Sequence, residues 1–365
     1  MKSIKTITRE DMLDVALGGA FLGTGGGGDP YIGRLMAEQA IDKNGPVKVL
    51  DVEELADDAL VVPVAMMGAP TVMLEKLPRG DEAINALRSL EAVLGQKADA
   101  IFCIEAGGLN STIPIAVAAT AGLPIVDGDG MGRAFPELQM VSMTMFDIHA
   151  CPMAMADDKG NALVLNTVDN LSTEKFARVV TVEMGGAGLI ALYPMTGAQA
   201  KQAILRGSLS LIANIGRLIR SEQAANRNPA DRLAKDLNGM RLFEGRVTDV
   251  DRRTEGGFAR GRARIEGLEN FQGRTMYLNF QNEFLLAEDE DGAPFAITPD
   301  LICLLDLETG QPITTETMAY GYRVIVFGLP CDLKWRSKHG LELVGPGYFG
   351  YEVEYQPIEE INQQN

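Results

Sequence analysis

The pattern of apolar runs changes character once along this chain, and that change limits the available folds more than any single motif does. Before about residue 168, short β-rich runs at 47–50, 60–66, 100–104 and 124–126 alternate with segments of helical spacing. Met12, Val15, Ala16 and Gly19 mark one such helix, and Ile84, Leu87, Leu90 and Leu94 another. Strands that alternate with helices predict a mostly parallel sheet with helices on its faces. Beyond that point, helical segments at 173–184, 197–219 and 229–237 lead into strand-like runs at 242–249, 257–265, 275–278, 283–286, 301–305 and 322–327. Turns such as Glu255-Gly256-Gly257 and Asp289-Glu290-Asp291-Gly292 punctuate them, which predicts a β-rich barrel or sandwich with a few helices. The expected division is therefore an α/β N-terminal domain over 1–168, then a helical segment and β-rich C-terminal domain over 169–365. With 365 residues, each half is long enough to bury a core of its own.

Composition removes several classes of function. Fifty acidic residues against 33 basic ones leave a net charge of −17, so the chain lacks the basic surface that displaces counterions from nucleic acid. No window reaches the run of about 18 apolar residues that a membrane span needs. The start, Met1-Lys2-Ser3-Ile4-Lys5, has no apolar stretch suited to secretion. Cys103, Cys151, Cys303 and Cys331 are scattered with no C-x-x-C pair, which fits a reducing cytoplasm. The expected partners are a small molecule and further copies of the chain, not nucleic acid or membrane.

Chemistry is concentrated in three loops of the first half. Gly23-Thr24-Gly25-Gly26-Gly27-Gly28-Asp29-Pro30 contains G-x-G-x-x-G, but a dinucleotide fingerprint follows a strand and this loop follows a helix. What remains is a run of backbone N–H groups from Gly25, Gly26 and Gly27, close to a helix that Asp29 and Pro30 begin, where an anion or a developing negative charge is stabilised. The competing reading is a turn between helices with Asp29 as its cap. Glu105-Ala106-Gly107-Gly108-Leu109-Asn110-Ser111 follows a strand end, the position where open α/β sheets bind ligands. Glu105 is a candidate base or metal ligand there. Asn110 and Ser111 are candidates to orient a substrate, or one of them caps the next helix.

Asp127-Gly128-Asp129-Gly130-Met131-Gly132-Arg133 also follows a strand. Two carboxylates separated by one glycine can turn towards one hard cation, with His149 available as a third ligand. Alternatively Arg133 neutralises an aspartate in a structural turn, and His149 is an ordinary hydrogen-bonded histidine. Lys334, Trp335 and Arg336 are either a site for a carboxylate or planar ring, or an ion-pair patch.

These segments, with Pro299-Asp300-Leu301-Ile302, Tyr320-Gly321-x-Arg323-Val324 and Gly340-Leu341-Glu342-Leu343-Val344-Gly345-Pro346, resemble the signature blocks of the S-methyl thiohydantoin desulfurase family over essentially the whole chain. The resemblance implies an α/β domain followed by a β-rich one. It also implies hydrolysis at a five-membered thiohydantoin- or hydantoin-like ring, with release of a thiol. Such a reaction needs an activated water and charge stabilisation at the ring. On residue chemistry the expected assignment is Glu105, Asp127 and Asp129 as catalytic groups. Asp127, Asp129 and His149 are then the ligands of a divalent metal, zinc being one candidate. Gly25, Gly26, Gly27, Asp29, Asn110, Ser111 and Arg133 are the substrate-binding set. The alternative from another class is a non-catalytic binding or assembly subunit beside a hydantoinase-type enzyme.

Overall fold

The computed structural model describes residues 2–68, 72 and 79–362. In its first sheet are β1 (Thr6–Ile7), β2 (Val47–Leu50), β3 (Leu60–Gly68), β4 (Ala100–Cys103), β5 (Ile125–Asp129), β6 (Met153–Ala156), β7 (Ala162–Leu165) and β8 (Ala187–Ala191). Their order is β1-β2-β5-β4-β3-β8-β6-β7, with β9 (Met195–Thr196) beside β3 and β10 (Leu205–Arg206) beside β5. The four strands β2, β5, β4 and β3 are parallel neighbours, and the β3-β8-β6-β7 side is antiparallel.

The described helices are α1 (Met12–Leu22), α2 (Pro30–Asn44), α3 (Glu82–Leu94), α4 (Gly108–Ala121), α5 (Asn170–Glu183), α6 (Gly197–Ala203), α7 (Ser208–Ala224), α8 (Ala230–Leu237), α9 (Lys338–Val344) and α10 (Ile358–Ile361). Their starts follow local chemistry. Thr8 and Asp11 form the capping box ahead of α1, and Asp29 caps α2, accepting from the Tyr31 N–H at 2.8 Å with Pro30 in the first turn. The predicted helix over 197–219 is broken by β10, because Gly207 takes a left-handed φ of 74° and turns the chain into α7. α4 is buried on every side from Gly108 to Ala119, which explains why its sequence lacks a polar face.

The second sheet begins at Met240. It contains β11 (Met240–Glu255), β12 (Phe258–Gly267), β13 (Thr275–Gln281), β14 (Glu283–Asp289), β15 (Pro294–Ile297), β16 (Leu301–Asp306), β17 (Pro312–Ile313) and β18 (Arg323–Leu329). All of its pairings are antiparallel, in the order β15-β14-β13-β12-β11-β18-β16-β17. Residues 170–237 lie with the first sheet: β8 pairs with β3, and α7 packs along α1.

The two sheets are joined by apolar packing, which the sequence of β16 and β18 explains. Ile302, Leu304, Val324 and Val326 enter the core of the second sheet, while Leu301, Cys303, Leu305, Ile325 and Phe327 enter the core of the first. Both faces of these strands are buried, so they read as continuous apolar runs instead of alternating ones. Phe21 of α1 meets Phe327 of β18 edge to face at 6.1 Å. The interface therefore fixes the position of β14 and its neighbours relative to the loops that leave β3, β4 and β5.

Candidate active site

A narrow cleft lies between the carboxyl ends of β3 and β4 and the β13–β14 hairpin. Gly27, Met66, Glu105, Asn110, Phe135, Glu137, Arg178, Asn282 and Glu283 are among the residues that line it. Its first acid, Glu105, leaves β4 two residues beyond the strand end. The N-cap of α4 is Gly107, in extended conformation, so the helix begins earlier than predicted and Asn110 and Ser111 lie in its first turn. That corrects the expectation that one of them caps it. The reason is steric: a Cβ at Gly107 would lie 2.8 Å from the Gly27 Cα, so no capping side chain fits where the two loops cross.

Asn110 is positioned from both sides. Its Oδ1 accepts from the Met66 N–H at 2.7 Å, and its Nδ2 donates to the Glu105 Oε1 at 2.8 Å. Ser111 turns away from the cleft and accepts from the Gly107 N–H at 3.1 Å. Glu105 is buried, and burial pushes its carboxyl up from 4.5 to about 7, against the opposing pull of the Asn110 amide, the Phe135 N–H and Arg133.

The glycine loop forms one wall. It is tied to α4 by Leu109 N–H to Gly27 O at 2.8 Å, and to the second sheet by Phe284 N–H to Thr24 O at 2.7 Å and Thr315 N–H to Gly25 O at 2.8 Å. Glycine is required at Gly26 by closeness, since a Cβ there would lie 1.9 Å from the Glu283 Oε1. Gly27 faces the cleft itself. Glu283 is buried, and its Oε2 has no hydrogen-bond partner among the described residues. Burial, followed by repulsion from Glu105, holds its carboxyl well above the usual range despite the opposing charge of Arg133. The cleft therefore holds one acid whose carboxyl is raised to about 7 and a second that burial and the first push towards the protonated form.

Arg133 has a different position from the one expected of a substrate ligand. Its Nε donates to Ala134 O, Nη1 to Pro299 O and Asp300 O, and Nη2 to the Thr24 Oγ1 and Phe284 O, all within 3.1 Å. A guanidinium has five N–H donors, and all five are engaged within the protein. Burial lowers its pKa to about 10, which leaves it cationic at neutral pH. It acts as a clamp that holds the glycine loop against the start of β14.

Of the other predicted residues, Asp129 lies near enough to Glu105 for its charge to help raise that carboxyl, and the rest lie outside the cleft lining. Asp127 accepts from the Ser210 N–H at 2.8 Å and from the Ser210 Oγ at 2.6 Å, and so caps the first turn of α7. Asp129 accepts from the Met131 N–H at 2.6 Å and from the Gly132 N–H, closing the turn after β5. Burial raises its pKa to about 6. His149 is exposed beside Asp169, the cap of α5. These three do not form the expected donor set. Among the described residues no group of three or more His, Cys, Asp or Glu side chains is arranged to hold a metal ion. Asp29 stays at its helix cap, outside the cleft lining. Lys334, Trp335 and Arg336 turn inward, to Ile204 O, to Met131 O and to Asp300 with Glu359.

The residues that sequence reasoning did not single out are Glu283, Asn282 and Arg178. Gln281-Asn282-Glu283 reads as a polar hairpin turn, and such turns are ordinarily solvated. Nothing local marks it as buried. Arg178 lies on α5, where its Nε donates to the Glu174 Oε1 at 2.8 Å and its guanidinium covers the Phe258 ring at 4.3 Å.

Two family models account for nearly the whole chain. The S-Me-THD-like N-terminal domain matches residues 10–167, and the S-Me-THD-like C-terminal domain matches 168–358. The chain belongs to the S-Me-THD-like family. The family's domain division falls before α5, whereas the second sheet starts at β11. A crystal structure of a protein from Chromobacterium violaceum is similar at 27% identity and a TM-score of 0.81, covering 97% of this chain and 100% of that one. No protein of curated function matches it. Family membership supports a hydrolase- or desulfurase-type activity on a hydantoin-like substrate in general. No described helix is long and apolar enough to cross a membrane.

Proposed function

We propose that this chain hydrolyses the carbon–sulfur bond of an S-alkyl thiohydantoin ring, with Glu105 as general base and Glu283 as general acid. The observation that carries this reading is the pair of buried carboxyls, Glu105 and Glu283, that line one cleft, both raised by burial and the second raised further by the first. Two acids with separated proton affinities divide base and acid roles between them.

In this scheme Glu105 takes a proton from water as its oxygen bonds to the ring carbon that bears sulfur. Glu283 gives its proton to the ring nitrogen of the breaking C=N bond, and a tetrahedral carbon results. On collapse the C–S bond breaks and its electron pair goes to sulfur. The protonated Glu105 supplies the thiol proton, and the new hydroxyl returns its proton to Glu283 as the carbonyl forms. The products are a hydantoin and a thiol, with both carboxyls restored. Asn110 orients Glu105, and the Gly27 backbone faces the position where charge develops. Metal assistance through Asp127, Asp129 and His149 is the competing proposal, and no step here is routed through it.

The test is thiol release from an S-methyl thiohydantoin by the purified chain, with and without a chelator, beside Glu105→Gln. Release that survives the chelator and is lost in Glu105→Gln supports the carboxyl pair. Release abolished by the chelator moves the chemistry to a metal. No release by the intact chain overturns the reading and favours the assembly-subunit alternative.

A further inference from the structure

The outer face of α5 carries an apolar stripe on which, among the described residues, nothing packs. Val168 is 85% exposed, Val179 64%, and Phe176 and Val182 59% each, with Leu171 also exposed. At about 100° per residue Leu171, Phe176, Val179 and Val182 fall on one side of the helix, opposite the buried Thr173, Glu174, Ala177 and Thr181, and Val168 lies just before its cap. Four large apolar side chains open to water on one helix are costly for a chain otherwise rich in surface charge, and they mark an interaction surface.

The charges on this face indicate what covers it. Lys175 and Glu183 are both exposed, and neither forms an ion pair among the described residues. They lie four residues on either side of Val179, so each is about 6 Å from it along the helix axis. A twofold axis at Val179 that sets α5 antiparallel to its own copy places each Lys175 level with Glu183 of the partner subunit. The same operation brings Phe176 level with the partner's Val182 and Val179 against the partner's Val179. An isologous contact requires a self-complementary surface, and this face has one in both shape and charge.

We propose that two copies of this chain pair through α5, antiparallel about Val179, with Lys175 and Glu183 closing reciprocal ion pairs at the rim. The pairing bears on the cleft, because Arg178 reaches the cleft lining from the adjoining side of the same helix. An α5 packed on both faces holds Arg178 and its Glu174 partner in place.

The experiment is the oligomeric state of the full chain, followed by sedimentation velocity across a concentration series. The intact chain is expected to be a dimer at micromolar concentration. Val179→Asp puts two like charges at the axis and is expected to weaken pairing by at least about 100-fold. Lys175→Glu and Glu183→Lys are each expected to weaken it about tenfold by like-charge contact, and the double swap is expected to restore it. Unchanged thermal melting in the monomeric variants separates lost pairing from lost folding. An intact chain that stays monomeric at about 100 μM, near the weak limit of specific dimers, overturns the proposal. So does a dimer that is indifferent to Val179→Asp, or single swaps that the double swap fails to rescue.

Discussion

Two strand ends of one parallel sheet carry acids on glycine-rich loops, and they do opposite things. At the end of β4, Glu105 projects into a cleft whose far wall is another buried acid, and one amide from Asn110 is its side-chain partner. At the end of β5, Asp127 and Asp129 accept from Ser210 and from the backbone of their own turn. The residue types are alike and the distance between strands is small. Asp127 has both carboxyl oxygens engaged by Ser210, whereas the Asp129 Oδ2 is buried without a partner among the described residues, so what sets the proposed reactive acid apart is what faces it across the gap. β10 pairs beside β5 and leads directly into α7, whose first-turn N–H at Ser210 is taken up by Asp127. β4 is followed by α4, whose first turn is closed by Gly27 and Ser111, so Glu105 stays free of that duty.

The sharpest way to break this contrast is Glu105→Gln. Thiol release is expected to fall by about 10³-fold, the scale of a lost general base, while the fold is retained. The same variant should be the more stable protein at high pH. Because the folded Glu105 binds its proton up to about 7 and the unfolded chain releases it near 4.5, the native state loses stability as pH rises across that window. Glu105→Gln removes that loss, by about 3 kcal/mol above neutrality, and the two proteins converge below pH 4.5 in urea denaturation. A variant that is inactive and also less stable would make Glu105 structural. In the intact chain the rate should climb with pH as Glu105 ionises through about 7, then decline once Glu283 gives up its proton.

Gly26→Ala comes next in size. Its Cβ would drive Glu283 out of place, and turnover is expected to drop about tenfold or more with destabilisation of about 1–3 kcal/mol. Steady-state kinetics and thermal melting measured together check it. Full activity would remove Glu283 from the reaction.

Asp127→Ala sharpens the comparison from the other side. Losing the α7 cap is expected to cost about 1–2 kcal/mol in denaturant titrations, with turnover per folded molecule within about twofold of the parent. Turnover lost in a stably folded protein would return Asp127 to the chemistry. The smallest expected effect is that of His149→Ala, an exposed residue whose removal should leave both stability and rate within error. Metal content measured on that variant decides whether the histidine has any part as a ligand.

Much of this molecule is determined by local sequence. The change from alternating helix and strand to strands alone fixed the fold class, and Asp29 with Pro30 marked a helix start that the structure contains. The glycine loop and the segment from Glu105 were recognisable as unusual because five glycines within six residues and a strand-end acid are features of the chain itself. Capping, periodicity and turn chemistry act over a few residues, so they can be read from a few residues. Tertiary structure alone decided which acids face each other. Glu283 is 178 positions from Glu105 in sequence and begins an apolar strand after a polar turn, a pattern shared by many exposed hairpins. It becomes half of a carboxyl pair because β16 and β18 bury one face in the first core, Arg133 joins Thr24 to Phe284, and Gly26 leaves room beside it. The proton affinity of a carboxyl depends on lost solvent and on neighbouring charge, and both are set by chain segments that meet only after folding.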